Sequence, residues 1–263
     1  MKLRRIVAAL LIGAALGLPA LSASPARAET ASDIVAAADK VRNPDQPFRS
    51  TDTLTEYVSG KPKNQNVLTV YAKLDPVTRQ FRNLILYVQP PRDAGKMVLL
   101  DKRAFWFYDP ASKASVRISP QQRLTGQASV ADVLTVNLSM DFTAALVGDE
   151  TIQDSEHKDR HCAHIDMHAA NALATYNRIE YWVERGTSNP IKAKFYSDSG
   201  RLLKILYYRG FRESLGRVRP LEAIIIDAVS SALVTTVDFG DQHFQDVPET
   251  WFQRDYLPHL QGQ

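Results

Sequence analysis

Residues 161–169 read His-Cys-Ala-His-Ile-Asp-Met-His-Ala, and residues 178–184 read Arg-Ile-Glu-Tyr-Trp-Val-Glu. Both stretches alternate with a period of two, the signature of a β-strand whose faces meet different environments. In the first, Ala163, Ile165 and Met167 share one face, while Cys162, His164, Asp166 and His168 share the other. In the second, Ile179, Tyr181 and Val183 oppose Arg178, Glu180, Trp182 and Glu184. A sheet built this way is apolar on one side and polar on the other, and its apolar side needs a cover.

Outward from this pair, the same grammar repeats. Strands are expected at residues 51–58, 67–74 and 81–88, then at 97–100 and 104–108 as a hairpin around Asp101-Lys102-Arg103, with a short edge at 115–118. Further strands follow at 142–152, 161–169, 176–185, 191–197, 202–211, 221–229 and 233–239. Asp/Gly, Asn-Pro and Ser-Gly turns separate them. Helical spacing is confined to residues 33–41 behind Ser32, 120–126, 129–138 behind Ser129, and a turn at 248–252. Many strands at about 10-residue spacing with so little helix predict a mainly β fold. Its core is one curled antiparallel sheet whose apolar concave surface is either open to a ligand or filled as a packed core.

The chain has 263 residues, 44% hydrophobic and 23% charged, with a formal net charge of +3. That composition belongs to a globular protein and excludes disordered, collagen-like and coiled-coil chains. Length suffices for one large domain. The N-terminus reads Met-Lys-Leu-Arg-Arg, an apolar run from Ile6 to Leu18, and a small-residue end at Ala26-Arg27-Ala28. This is the pattern of a cleaved secretory signal over residues 1–28, leaving 29–263 as one domain. Its apolar run is shorter than the roughly 20 residues that span a bilayer. Removal takes four basic residues with it and leaves 28 basic against 29 acidic. The precursor's basicity therefore gives no support to a nucleic-acid partner.

Cys162 is the single cysteine, so no internal disulfide forms. His161, Cys162, His164, Asp166 and His168 include metal-ligand types, but His164 and His168 lie about 13 Å apart along a strand. Neither a metal site nor a Cys162–His164 nucleophile is expected, and none of the hydrolase, phosphate-loop or dinucleotide motifs occurs. No cofactor and no catalytic residue is assigned. Phe105-Trp106-Phe107-Tyr108 places aromatic rings on both faces of one strand. Lys192, Lys194, Arg201 and Lys204 read as a solvated face.

Three segments point to a family. Gly148-Asp149-Glu150-Thr151-Ile152 leads to Cys162-Ala163-His164-Ile165-Asp166-Met167. Tyr181-Trp182-Val183-Glu184 leads to Asn189-Pro190-Ile191-Lys192-Ala193-Lys194-Phe195-Tyr196-Ser197, and Trp251-Phe252-Gln253-Arg254-Asp255-Tyr256-Leu257 closes the chain. These resemble the outer-membrane lipoprotein-sorting proteins of the LolA-like group. The resemblance covers most of residues 29–263 and is strongest from about 100 to 258. It implies a half-open antiparallel β-barrel with helices over the concave face. It also implies a periplasmic carrier of acyl chains, on a lipoprotein or another lipid, working towards the outer membrane.

An inner-membrane transporter of the resistance-nodulation-division type is the partner the resemblance implies, and the protein is expected to be a monomer. Residues 129–140 are the expected helical lid. Phe105, Phe107, Val133, Leu134, Ile165, Met167, Tyr181 and Val183 are the candidate cavity-lining residues. The alternatives are a lipid-sensing or accessory protein of an envelope transporter or stress pathway, and a cavity-bearing hydrolase. A cavity with no polar constellation inside would count against the hydrolase.

Overall fold

The computed structural model describes residues 29–101, 104–171 and 174–260. The expected signal segment, the turn at 102–103 and the last three residues lie outside these. The chain opens with helix α1 (Ala31–Arg42). Thr30, rather than Ser32, caps it: the Thr30 and Asp33 side chains satisfy each other's backbone N–H groups. Asn43-Pro44 ends it, since the residue before proline avoids helical geometry.

Six strands then run as a meander: β1 (Phe48–Val58), β2 (Lys61–Leu74), β3 (Phe81–Gln89), β4 (Met97–Asp101), β5 (Ala104–Asp109) and β6 (Ala114–Ile118). Strand β2 begins earlier than its hydrophobic alternation suggests. The two-residue turn Ser59-Gly60 has both φ values positive, which matches the twist of paired strands. Pro62 then pairs with Tyr57 beside a bulge.

The second meander comprises β9 (Phe142–Gln153), β10 (Asp159–Ala169), β11 (Arg178–Glu184), β12 (Pro190–Tyr196), β13 (Leu202–Ser214), β14 (Arg217–Asp227) and β15 (Leu233–Phe244). Strand β15 pairs antiparallel with β1 and joins the halves. Among the described residues this makes one thirteen-stranded sheet in the order β6-β5-β4-β3-β2-β1-β15-β14-β13-β12-β11-β10-β9. The sheet curls and does not close: β6 and β9 remain its edges.

The connection between those edges departs from the sequence reading. Residues 120–126 are not helical. Strand β7 (Arg123–Thr125) pairs with β8 (Ala128–Ser129) around Gly126, whose φ is +52°. A Cβ there would collide with Thr235 and Glu56. Only two single helical turns follow, α2 (Val130–Val133) and α3 (Leu138–Asp141), with extended chain between them. The expected continuous lid helix is therefore a strap.

The apolar concave face meets α1 and the strap in the main core. Leu54, Leu68, Ile85, Ala163, Ile165, Met167, Ile179, Tyr181, Val183 and Ile225 lie there with Val35, Val133 and Leu134. The alternation that reads Ile165 and Tyr181 inward holds, even though bulges interrupt the register at His164/Ile165 and Trp182/Val183. The opposite face is drier than its polar pattern suggests. Cys162, Trp182 and Ile191 are buried together there, beside Ile152 and Phe211. Two 3-10 turns, Glu249–Phe252 and Arg254–Leu260, cover Leu84, Met97, Leu99 and Tyr108 on that face. No helix among the described residues is long and apolar enough to cross a membrane.

Ile165 is completely buried and Val218 is 55% exposed. Ile165→Ala should therefore cost about 3 kcal/mol in urea denaturation, through lost transfer energy and a residual cavity. Val218→Ala should stay within about 0.5 kcal/mol. Equal effects would contradict the inward placement of Ile165.

Candidate functional site

The strap crosses the concave face without a helix to satisfy its backbone, so side chains do it. Asn83 of β3 bonds both sides of Thr135: its Nδ2 donates to the Thr135 carbonyl at 2.9 Å, and its Oδ1 accepts from the Thr135 N–H at 2.9 Å. Gln80 does the same for Asn137, at 3.2 and 2.8 Å. From α1, Arg42 and Asn43 both donate to the Val136 carbonyl, at 3.0 and 2.8 Å. Asp39 accepts from the Ser139 N–H at 2.8 Å. These bonds compete with helix formation across 134–137, which explains why the expected helix breaks there.

The N-terminal end of the strap is fixed by charge. Lys204 of β13 forms a buried ion pair with Asp132. Asp132 also accepts from the Ser129 N–H at 2.7 Å, the Ser129 hydroxyl at 2.9 Å and the Tyr176 hydroxyl at 3.1 Å. Lys204 further lies over the Tyr176 and Phe195 rings. It is thus an inward-facing residue of the concave side, not part of a solvated face with Lys192 and Lys194. Those two lie over Trp182 on the outer face. The Ser129–Lys204 pairing has the residue types of a hydrolytic dyad. Here, however, the ammonium donates to both Asp132 and Ser129, the reverse of what a general base does.

Beneath the strap a cavity of about 80 Å³ remains. Val133 and Leu134 line it with Val70, Leu206, Ala223 and Phe239; polar side chains of Arg42, Asp52, Tyr208 and Arg219 share the wall. Of the other candidate lining residues, Phe105, Ile165, Met167, Tyr181 and Val183 are buried in the same core and do not line this cavity. Phe107 borders a separate cavity of about 350 Å³ with Tyr87, Val98 and Ile118. A larger hollow of about 720 Å³ lies elsewhere, between Arg82, Trp106 and the C-terminal turns. Its arginines are already paired: Arg82 with Asp75 and Glu249, and Arg254 with Asp255.

The cavity's polar wall was invisible to a search for familiar motifs, yet strand parity points to it. Asp52 alternates with buried Leu54, Lys204 with Leu206, and Arg219 with Ala223 and Ile225. Asp52 is 2% exposed, and its carboxyl bonds the Ser50 hydroxyl. Burial raises its pKa to about 7. Arg219 is also 2% exposed. Its guanidinium donates to the carbonyls of Ser214 at 2.8 Å, Arg42 at 2.9 Å and Leu215 at 3.4 Å. Burial, reinforced by the charge of Arg217, holds its pKa below the usual value.

The histidines and the cysteine take outer-face roles. His164 stacks on Trp182 at 4.3 Å and lies 3.1 Å from Glu150. His168 lies 3.2 Å from Asp166, which also accepts from Arg178. Among the described residues no group of three or more potential ligands comes together. The Cys162 thiol is pushed up to about 12, mainly by burial and then by Glu184. A thiolate nucleophile needs the opposite shift.

A family model described as "Uncharacterized protein" matches residues 79–259. Comparison with curated proteins gives no match. Among solved structures, a LolA superfamily protein of Nitrosomonas europaea is similar at 29% identity and a TM-score of 0.76, covering 86% of this chain and 99% of the other. A domain from Vibrio parahaemolyticus, named as an outer membrane lipoprotein-sorting protein, is similar at 15% identity and a TM-score of 0.69. That alignment covers 87% and 98%. A DUF1329 family protein of Desulfovibrio piger has 18% identity and a TM-score of 0.71, covering 86% and 97%. The curled sheet is thus the LolA-type fold.

Two predictions test the site. Lys204→Met strands a buried carboxylate and should cost about 3–5 kcal/mol, whereas Lys204→Met combined with Asp132→Asn should recover most of it. A double-mutant cycle read by urea denaturation checks this, and full additivity would contradict the pairing. For Asp52, the folded carboxyl holds its proton more tightly than the unfolded one. Stability from this group is therefore complete below pH about 4 and lost as pH rises through about 7, by up to about 4 kcal/mol. Asp52→Asn should flatten that slope; parallel wild-type and variant curves from pH 4 to 8 would count against it.

Proposed function

From a chain that belongs to the family matched over residues 79–259 and has the LolA-type fold, we propose a periplasmic binding protein that carries acyl chains. It is a carrier rather than an enzyme. Residues 1–28 serve as the export signal, and residues 29–263 form the carrying domain. The cargo is a lipoprotein or another lipid on its way to the outer membrane. An inner-membrane exporter of the resistance-nodulation-division type supplies it.

The observation that carries this reading is how the concave face is covered. The strap lays Val133, Leu134, Val136 and Leu138 into the core, but its tethers are hydrogen bonds and one ion pair. Water replaces hydrogen bonds at small net cost, about 1 kcal/mol each. An acyl chain replaces the apolar plug, at about 0.8 kcal/mol per buried CH₂. Lifting the strap therefore exchanges protein contacts for cargo contacts of the same kind. The 80 Å³ already open beneath it gives the first few methylenes a place to enter. Phe105, Ile165, Met167, Tyr181 and Val183 form the floor on which the chain lies, with Phe107 at one flank.

Native mass spectrometry of the protein purified from its own cell envelope, followed by lipid extraction, tests the proposal. A copurified acylated molecule that exchanges with a fluorescent acyl probe presented in vesicles is the expected result. Protein that neither retains an acyl compound nor takes up the probe would overturn it.

A further inference from the structure

The wall of the strap cavity holds two arginines, Arg42 and Arg219, and two carboxyl groups, Asp52 and Asp132. Arg42 is matched by Asp39 at 2.8 Å, and Lys204 by Asp132. Arg219 is matched by nothing of full charge: among the described residues no carboxylate lies within ion-pair distance, and the acidic group acting on it is exposed Asp45. Three carbonyls accept from it, one of them that of Arg42 at the negative end of α1. A guanidinium has five N–H donors, so two remain. Asp52 shares this wall but forms no ion pair with Arg219 among the described residues, and burial raises its pKa to about 7, so it is only partly charged at neutral pH.

The Arg42 side chain lies against the Tyr181 and Tyr208 hydroxyls. A buried guanidinium without an anion is costly. That cost falls if the missing partner is an anion that arrives with the cargo. The apolar side chains of Leu206, Ala223, Phe239, Val133 and Leu134 line the same cavity, so apolar surface and the Arg219 guanidinium share one wall.

We propose that the acyl cargo carries a negatively charged group, a carboxylate or a phosphate, and that Arg219, with Arg42 beside it, receives that group in the strap cavity. This rests on the carrier reading above and narrows it from any acyl chain to an anionic amphiphile. Arg219 acts by bidentate hydrogen bonding in a site shielded from water, where such pairs are strongest.

The test compares ligands of one chain length on the full mature protein: dodecanoate, dodecyl phosphate, dodecanol and dodecyltrimethylammonium, with inorganic phosphate and acetate as chain-free probes. Affinities come from displacement of a neutral fluorescent apolar probe and from calorimetry. Dodecanoate or dodecyl phosphate should bind at least tenfold tighter than dodecanol, the cationic analogue should bind weakest, and the stronger of the two anions identifies the head group. Arg219→Gln should shrink the tenfold preference to below threefold while dodecanol affinity stays within twofold.

Equal affinity for dodecanoate and dodecanol in the wild type overturns this inference and leaves the carrier standing. Failure of every chain-bearing ligand overturns the carrier as well. Inorganic phosphate or acetate binding as tightly as its dodecyl counterpart overturns the inference in favour of a free-anion site. An undiminished preference in R219Q removes Arg219 from the role. Should R219Q not fold, R219K keeps the charge and loses the planar fork; the preference should fall two- to fivefold, and no change overturns the assignment.

Discussion

A curled sheet with one apolar face cannot leave that face in water, and the chain has little helix with which to cover it. At roughly 25 cal/mol per Å² of apolar surface, the concave side of thirteen strands dominates the energetics of the fold. One twelve-residue helix and one strap are what cover it. The other features follow from that shortage. The strap must run extended to reach across, extended chain leaves backbone groups unpaired, and buried Asn83, Gln80, Asn43 and Asp39 exist to pair them.

This arrangement separates two jobs that a continuous lid helix would merge. Apolar side chains of the strap fill the core, while polar tethers hold the strap in place. The filling is exchangeable for another apolar body of similar shape, and the tethers are exchangeable for water. The Lys204–Asp132 pair is the exception. Its desolvation is already complete in the closed form, so it contributes register and specificity more than net affinity. Under the proposed carrier function such a division matters, because release would not require unfolding the sheet.

Much of the architecture was legible because alternation is local. Each strand declares its two faces in its own residues, and Ile165, Met167, Tyr181, Val183, Phe105 and Phe107 face the core as their parity demands. The lid was misread for an equally local reason. Residues 129–138 have helical spacing, but Asn83 and Gln80, some fifty positions away, compete for the same backbone groups. Residues 120–126 instead lead into the β7–β8 turn, where Gly126 lies close to Thr235 of distant β15. Lys204 reads as a surface lysine by composition and as a core position by parity, and the buried partner that resolves the conflict lies on another element.

Periodicity and composition by themselves determined a mainly β domain, its strand faces, its short α1, and an excess positive charge that sits in residues 1–28. These depend on neighbours in sequence, where the physics of the pleat and of capping acts over a few residues. Tertiary structure alone decided how the strap is tied, and which buried charges meet. Asp132 finds Lys204 across 72 positions, and Arg42 finds Val136 across 94, whereas Arg219 finds carbonyls and no counterion. Electrostatic partnership is set by distance in space and by exclusion of water, and neither quantity is written along the chain.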